Sequence, residues 1–226
     1  MKSILTLNEL KEKLKLSEQP SRSPKRTSTG FPELDDATGG GFVRVGINEF
    51  LLRESGCGTL EFLLRLFRKR AAQEDPLDER PFQLAWIHPL LNPYPPAAAQ
   101  CGPPLAQWLF VTPNTLQEQL WALEQILRAG EHQCVLAPIK SISDHQLRRL
   151  GMAALEGRSA LYLMRQLNCS KGSSASNLRV LTSAAPSTNL QTRCLQIEVL
   201  RCRGVSPRPS LCLEWSVDSL DEPVVS

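Results

Sequence analysis

The chain has 226 residues, 42% of them hydrophobic and 22% charged, with a formal net charge of +3. That length suits one or two domains with a sizeable core and excludes wholesale disorder. The 13 Gly and 17 Pro show no repeat, heptads are not sustained, and no run reaches the ~18 to 20 apolar residues of a spanning helix.

The segment Met1–Glu9 turns polar too early for a secretory signal, so a cytoplasmic location and no membrane association are expected. Residues 1–28 hold seven bases and three acids, which leaves the rest of the chain close to neutral. A neutral body with a basic arm does not resemble a dedicated DNA-binding domain, whose positive charge lines one face. The arm could touch phosphates or an acidic partner, or serve as a solvated leader.

In chain order, Ile4, Leu7, Leu10 and Leu14 make one helical stripe, and Ser17–Thr29, with Pro20 and Pro24, reads as a linker. Gly46–Leu52 reads as a buried strand and Thr59–Ala72 as a helix. Further strands follow at Phe82–Ile87, Trp108–Val111, Cys134–Ala137 and Ala160–Met164. Helices fall at Thr115–Arg128, striped by Leu116, Leu120, Leu123 and Leu127, and at Asp144–Glu156. Strands alternating with helices of this length predict a mostly parallel sheet flanked by helices. After Ser170–Ser174 the pattern alternates, Leu195, Ile197 and Val199 against Leu211, Leu213, Trp215 and Val217. This predicts a C-terminal antiparallel hairpin joined by Arg203–Ser210. Residues 218–226 read as a flexible acidic tail, and 29–217 as one α/β domain.

The seven cysteines contain no CxxC pair and lie apart from His88, His132 and His145, so no metal site is expected. They read as reduced thiols that act as small buried hydrophobes. Trp86 and Trp121 are expected in the core, and Trp108 half exposed.

The strand Gly46–Leu52 runs into Arg53-Glu54-Ser55-Gly56-Cys57-Gly58-Thr59-Leu60-Glu61 and a helix, the setting of a phosphate-binding loop. Such a loop also needs a Lys on the β/γ-phosphates and a hydroxyl on Mg²⁺. With Gly58 as the last glycine, Thr59 fills the Lys slot and Leu60 the hydroxyl slot. With Cys57 there, Gly58 fills the Lys slot and Thr59 the hydroxyl slot. Either alignment lacks the cation, and Glu61 adds a negative charge nearby. The strand Cys134–Ala137 ends in Pro138 and the strand Leu84–Ile87 in His88-Pro89, where carboxylates would hold metal or activate water. No cofactor is expected. Gly56, Gly58 and Thr59 are therefore read as a degenerate loop, a tight turn more than an anion site.

Thr29-Gly30-Phe31-Pro32-Glu33-Leu34-Asp35-Asp36-Ala37 followed by Gly39-Gly40-Gly41 resembles the entry of RecA-type cores. Within these, the chain is similar to the ImuA family, often grouped with SulA-like inhibitors. The matching features are the triple-glycine entry, the Lys-less Gly-x-Gly-Thr-Leu-Glu loop, and Trp86-Ile87 with Asn92-Pro93-Tyr94. Leu120-Trp121-Ala122-Leu123-Glu124-Gln125 and Leu147-Arg148-Arg149-Leu150 complete the set. The resemblance spans about residues 29–215 and implies a RecA-like domain over 29–217. It implies a non-catalytic accessory factor of the bacterial DNA damage response. Such a factor supports error-prone translesion synthesis with RecA and an ImuB-like polymerase relative as partners, and any DNA association is indirect. A SulA-type cell-division inhibitor is the alternative. A rearranged hydrolase recruiting Lys69, Lys140 or Lys171 is a third reading. The interaction candidates are Arg148, Arg149, Arg201, Arg203 and Arg208, with Arg193 just upstream. Arg158 and Arg165 belong to the same scatter of basic residues, read as solvated surface.

Overall fold

The computed structural model describes residues 25–73, 78, 80–88, 94–169, 174–187, 189–205 and 210–216. The N-terminal helix, most of the linker, Lys171, Arg208 and the acidic tail lie outside them. The elements are β1 (Arg26–Thr27), α1 (Pro32–Thr38), β2 (Phe42–Val43), β3 (Gly46–Leu52), α2 (Thr59–Ala72), β4 (Leu84–Ile87), α3 (Pro95–Cys101) and β5 (Trp108–Val111). They continue with α4 (Leu116–Ala129), β6 (Cys134–Pro138), α5 (Asp144–Glu156), β7 (Ala160–Gln166), β8 (Leu178–Ala185), β9 (Thr192–Cys202) and β10 (Leu211–Ser216).

Eight strands form one sheet in the order β10-β9-β8-β3-β7-β6-β4-β5. All pairs from β8 to β5 are parallel, and β9 is antiparallel to both β8 and β10. The expected parallel sheet with an antiparallel C-terminal hairpin is present. The extra strand β8, LRVLTSAA, links the two halves, and it went unread because its polar and small residues blunt both periodicities. The strand β1 lies within the stretch assigned to the linker. It pairs with β2, while the Arg26 guanidinium donates to the carbonyls of Gly41 and Arg203.

Because both faces are covered, the central strands read as continuous apolar runs. Along β7, Tyr162 and Met164 point into a core shared with α1 and α2, and Leu161 and Leu163 into one shared with α4 and α5. The first core is aromatic: Phe42, Phe50, Phe67 and Tyr162 interlock, with Phe67 edge-on to Tyr162 at 4.7 Å between centroids.

The second layer depends on a close approach of two helix ends. A Cβ on Gly157, at the end of α5, would lie 1.9 Å from the Leu127 carbonyl oxygen of α4, so only glycine fits. Arg80 ties the same corner together. Its guanidinium donates to the carbonyls of Gly130, Gly157 and Arg158 and pairs with Asp78 at 2.7 Å. The helix carbonyls that lack intrahelical partners thus gain a cationic donor.

Three sequence readings are corrected. Trp121 is 65% exposed, because α4 buries Gln119, Ala122, Leu123 and Leu127, and Trp121 follows Leu120 by one residue, turned off that face. Arg165 is not solvated. It is 7% exposed on the sheet and bonds the fully buried Glu49 at 2.9 Å, a pairing across β3 and β7 that linear spacing hides. The reduced state expected for all cysteines fails for Cys194 and Cys212. They form a disulfide, because the β9–β10 register sets them at diagonal positions on one sheet face, with Cα atoms 6.4 Å apart. Trp86 is buried and Trp108 half-buried, as expected.

Candidate functional site

The glycine loop occupies the carboxyl end of the central strand β3, where open parallel sheets place their ligands. Gly56 and Gly58 have φ of 77° and 97°, and Gly58 is the N-cap of α2, with no side-chain cap. A Cβ on Gly56 would meet nothing within 4 Å, and one on Gly58 only the Trp215 ring at 3.8 Å. Positive φ, not crowding, therefore selects glycine here.

Thr59 is buried and its hydroxyl faces away from solvent. It donates to Thr182 Oγ1 at 2.8 Å, Thr182 Oγ1 donates to the Leu51 carbonyl at 3.2 Å, and Cys57 Sγ sits 3.1 Å from Thr59 Oγ1. This chain of hydroxyls ties the loop to β8. The Arg53 N–H donates to the Thr182 carbonyl at 2.9 Å and the Ala184 N–H to the Glu54 carboxylate, so the loop is stitched along that strand. In the first turn of α2, Glu61 pairs with Arg65 at 3.0 Å and accepts from Trp215 Nε1 at 3.1 Å. A carboxylate is electrostatically suited to a helix N-terminus, the place a phosphate would take.

The other two positions are equally specific. At the end of β6, Pro138 offers only its carbonyl, which accepts from Gln119 Nε2 at 2.9 Å. The same amide reaches the Ile87 carbonyl at 3.4 Å, so a buried glutamine bridges the ends of β4 and β6. Sequence reasoning passed over Gln119 because a single polar residue on an apolar helix face carries no motif. At the end of β4, His88 is half-buried, and burial holds its imidazole below the ordinary histidine pKa, in the neutral form. Among the described residues no three His, Cys, Asp or Glu side chains gather as a metal site requires.

A cavity of about 650 Å³ opens beside the loop, between α2, α3 and the ends of β3, β4, β6 and β7. Leu60, Leu64, Trp86, Ala98 and Met164 form apolar walls, and among the described residues neither Lys nor Arg lines it. Lys69 is in the last turn of α2, ten residues or roughly 15 Å from Thr59 along the helix axis. Lys140 is exposed beyond β6 and does not line the cavity.

No protein-family model matches the chain, and no curated protein matches it.

The five arginine candidates occupy different places. Arg149 pairs with Glu124 of α4 at 2.5 Å, while the neighbouring Arg148 is exposed. Arg201 near the end of β9 donates to the Ser174 carbonyl, and Arg203 follows just beyond the strand. Arg193 stands at the opposite end of β9, roughly 27 Å from Arg201 along an extended strand. Arg208 lies outside the described residues. A denser basic cluster escaped sequence reasoning: Arg165, Arg179 and Arg201 converge on Glu49, Ser174 and Ser176 over one face of the sheet. Its members come from β3, β7, β8, β9 and the segment before β8, so only the fold assembles it.

Proposed function

We propose that the chain is a non-catalytic, RecA-like accessory protein of the bacterial DNA damage response. It acts in the cytoplasm, without a cofactor and without ATPase activity. It supports error-prone translesion synthesis through contacts with RecA and an ImuB-like polymerase relative, and meets DNA indirectly through them. The observation that carries this reading is the contrast at the loop. The strand, turn and helix of a phosphate loop stand at the centre of a mostly parallel sheet. Yet the Thr59 hydroxyl is bonded to Thr182, and among the described residues no cation lines the adjoining cavity. A triphosphate would enter an apolar cavity facing Glu61 without a compensating charge, which strongly disfavours it.

A core kept without its chemistry retains surfaces for pairing. Trp121, Met152 and Leu155 are exposed on α4 and α5, and aromatic anchors of this kind are enriched at protein interfaces. The test is co-purification of the full chain with RecA and with an ImuB homologue, with and without ATP. Retention of either partner, weakened by Trp121→Ala, is the expected result. Absence of any complex under every nucleotide condition contradicts the proposal, and filamentation on overexpression with capture of the tubulin-like division protein favours the SulA-type reading.

A further inference from the structure

The parallel half of the sheet ends at β5, which pairs with β4 and with no other strand among the described residues. A strand in that position leaves backbone donors and acceptors open along its outer side, and proteins commonly blunt such an edge with charge. The opposite edge strand, β10, carries Glu214. In contrast, β5 is Trp-Leu-Phe-Val, and the whole stretch 81–117 around it contains no Asp, Glu, Lys or Arg, in a chain that is 22% charged. Leu105, Leu109, Phe110 and Leu116 from this stretch are 36–43% exposed. This rim of the sheet is apolar and uncharged.

The backbone of β5 has a definite polarity. The His88 N–H donates to the Val111 carbonyl at 3.0 Å, so Val111, and by alternation Leu109, turn their peptide groups toward β4. Phe110, between them, turns its N–H and C=O outward. The Trp108 N–H is already bonded to the Leu105 carbonyl, so within β5 it is Phe110 that has both groups available. Its ring stacks on Trp108 at 5.1 Å and packs beside Trp86 at 6.3 Å between centroids.

A neutral edge has no charge with which to select an unlike partner, and none with which to repel its own copy. Twofold symmetry then dictates the pairing. About an axis normal to the sheet, the same patch on both copies sets the strands antiparallel, and opposed residues share a sheet face. With the axis at Phe110, each Phe110 exchanges both backbone bonds with Phe110 of the second copy and needs nothing from Trp108. The row from Trp86 to Phe110 continues across the junction on one face, and Leu109 meets Val111 of the second copy on the other. An axis at Leu109 instead requires the Trp108 N–H, which is taken.

We propose that two copies of the chain pair edge to edge through β5, antiparallel about a twofold axis at Phe110, so that their sheets become one. This surface is separate from Trp121 on α4, so the pairing stands or falls independently of the partner contacts proposed above.

The test is sedimentation velocity of the purified full chain over a concentration series. A reversible monomer–dimer equilibrium is expected, weak because one four-residue strand buries less than the ~1,600 Å² of a standard interface. Phe110→Lys sets two cations opposite each other on the axis and is expected to weaken the dimer about tenfold or more. Trp121→Ala is expected to leave it unchanged. Under mild oxidation Phe110→Cys is expected to cross-link to itself beyond the background of the native chain, since a hydrogen-bonded pair sets Cα atoms ~5.5 Å apart, within disulfide reach. Leu109→Cys is expected not to, because the two Leu109 positions lie on a diagonal, ~7–8 Å apart. The cross-links decide the matter if Phe110→Lys fails to fold. A full chain that stays monomeric at every concentration overturns the proposal, whether residues 1–24 or an unlike partner then cover the edge. A dimer that folded Phe110→Lys leaves intact, or that Trp121→Ala dissolves, overturns it as well. Cross-linking of Leu109→Cys without that of Phe110→Cys overturns the assigned axis.

Discussion

Glu49 sits fully buried in the middle of β3, and four side chains converge on its carboxylate. Arg165 donates at 2.9 Å, Ser174 and Ser176 at 2.5 and 3.0 Å, and Arg179 stands 3.5 Å away. Burying a carboxylate is unfavourable unless donors replace its lost water, and here they come from β7, β8 and the segment before β8. Glu49→Ala removes the shared acceptor and is expected to lower stability by about 3–5 kcal/mol in urea denaturation. At the loop, Thr59→Val removes one buried hydroxyl from the chain to Thr182, so a loss of about 1 kcal/mol is expected. Restoring the missing charge is a sharper test of what the loop has become. Gly58→Lys puts a cation into one of the two possible Lys slots, but Gly58 has a φ of 97° and the neighbouring hydroxyl points to β8. The variant is expected to lose about 1 kcal/mol or more from backbone strain. It is also expected to gain no ATP-dependent shift in thermal midpoint; a clear shift would mean that the loop is still competent.

At the scale of elements, the corner formed by α4, α5 and Arg80 decides how the second layer closes. Gly157→Ala forces a Cβ against the Leu127 carbonyl, so α5 must move or strain, with an expected cost of about 2 kcal/mol or more. The pH dependence at this corner has a definite sign. The Arg80 guanidinium holds the Asp78 carboxyl below its usual value. A carboxylate with a depressed folded-state pKa contributes fully above its unfolded pKa and loses that contribution as pH falls through the folded value. The stability difference between the native chain and Asp78→Asn is therefore constant from neutral pH to about pH 4.5, and shrinks toward zero in more acidic solution. A difference that grows on acidification would contradict the pairing. The same scale shows what the sequence could disclose. Strands β3, β6 and β7 and helices α2, α4 and α5 are legible because burial on two faces or on one stripe leaves a plain period. The strand β8 is not, since Thr182 serves the loop and Ser183 and Ala184 lie toward an exposed end. Trp121 misled because a large aromatic beside a leucine stripe looks like core, whereas its angular position on α4 leaves it in solvent.

Taken as a whole molecule, the chain has a central glycine loop on a mostly parallel sheet, with polar ties where catalytic groups would stand. The missing lysine and carboxylates were legible as slots in the sequence. The replacements were not, because Gln119, Thr182 and Arg179 reach their positions only through long-range pairing. We propose that the core does not bind nucleotide. The most direct measurement of this is an ATP–Mg²⁺ titration of the purified chain, followed by calorimetry and thermal shift. No heat of binding and an unchanged midpoint at millimolar ATP are expected. A ligand bound with a Kd one hundredfold below its concentration would stabilise the fold by about 2.7 kcal/mol. A midpoint rise of that size, saturating with ATP, would contradict the account.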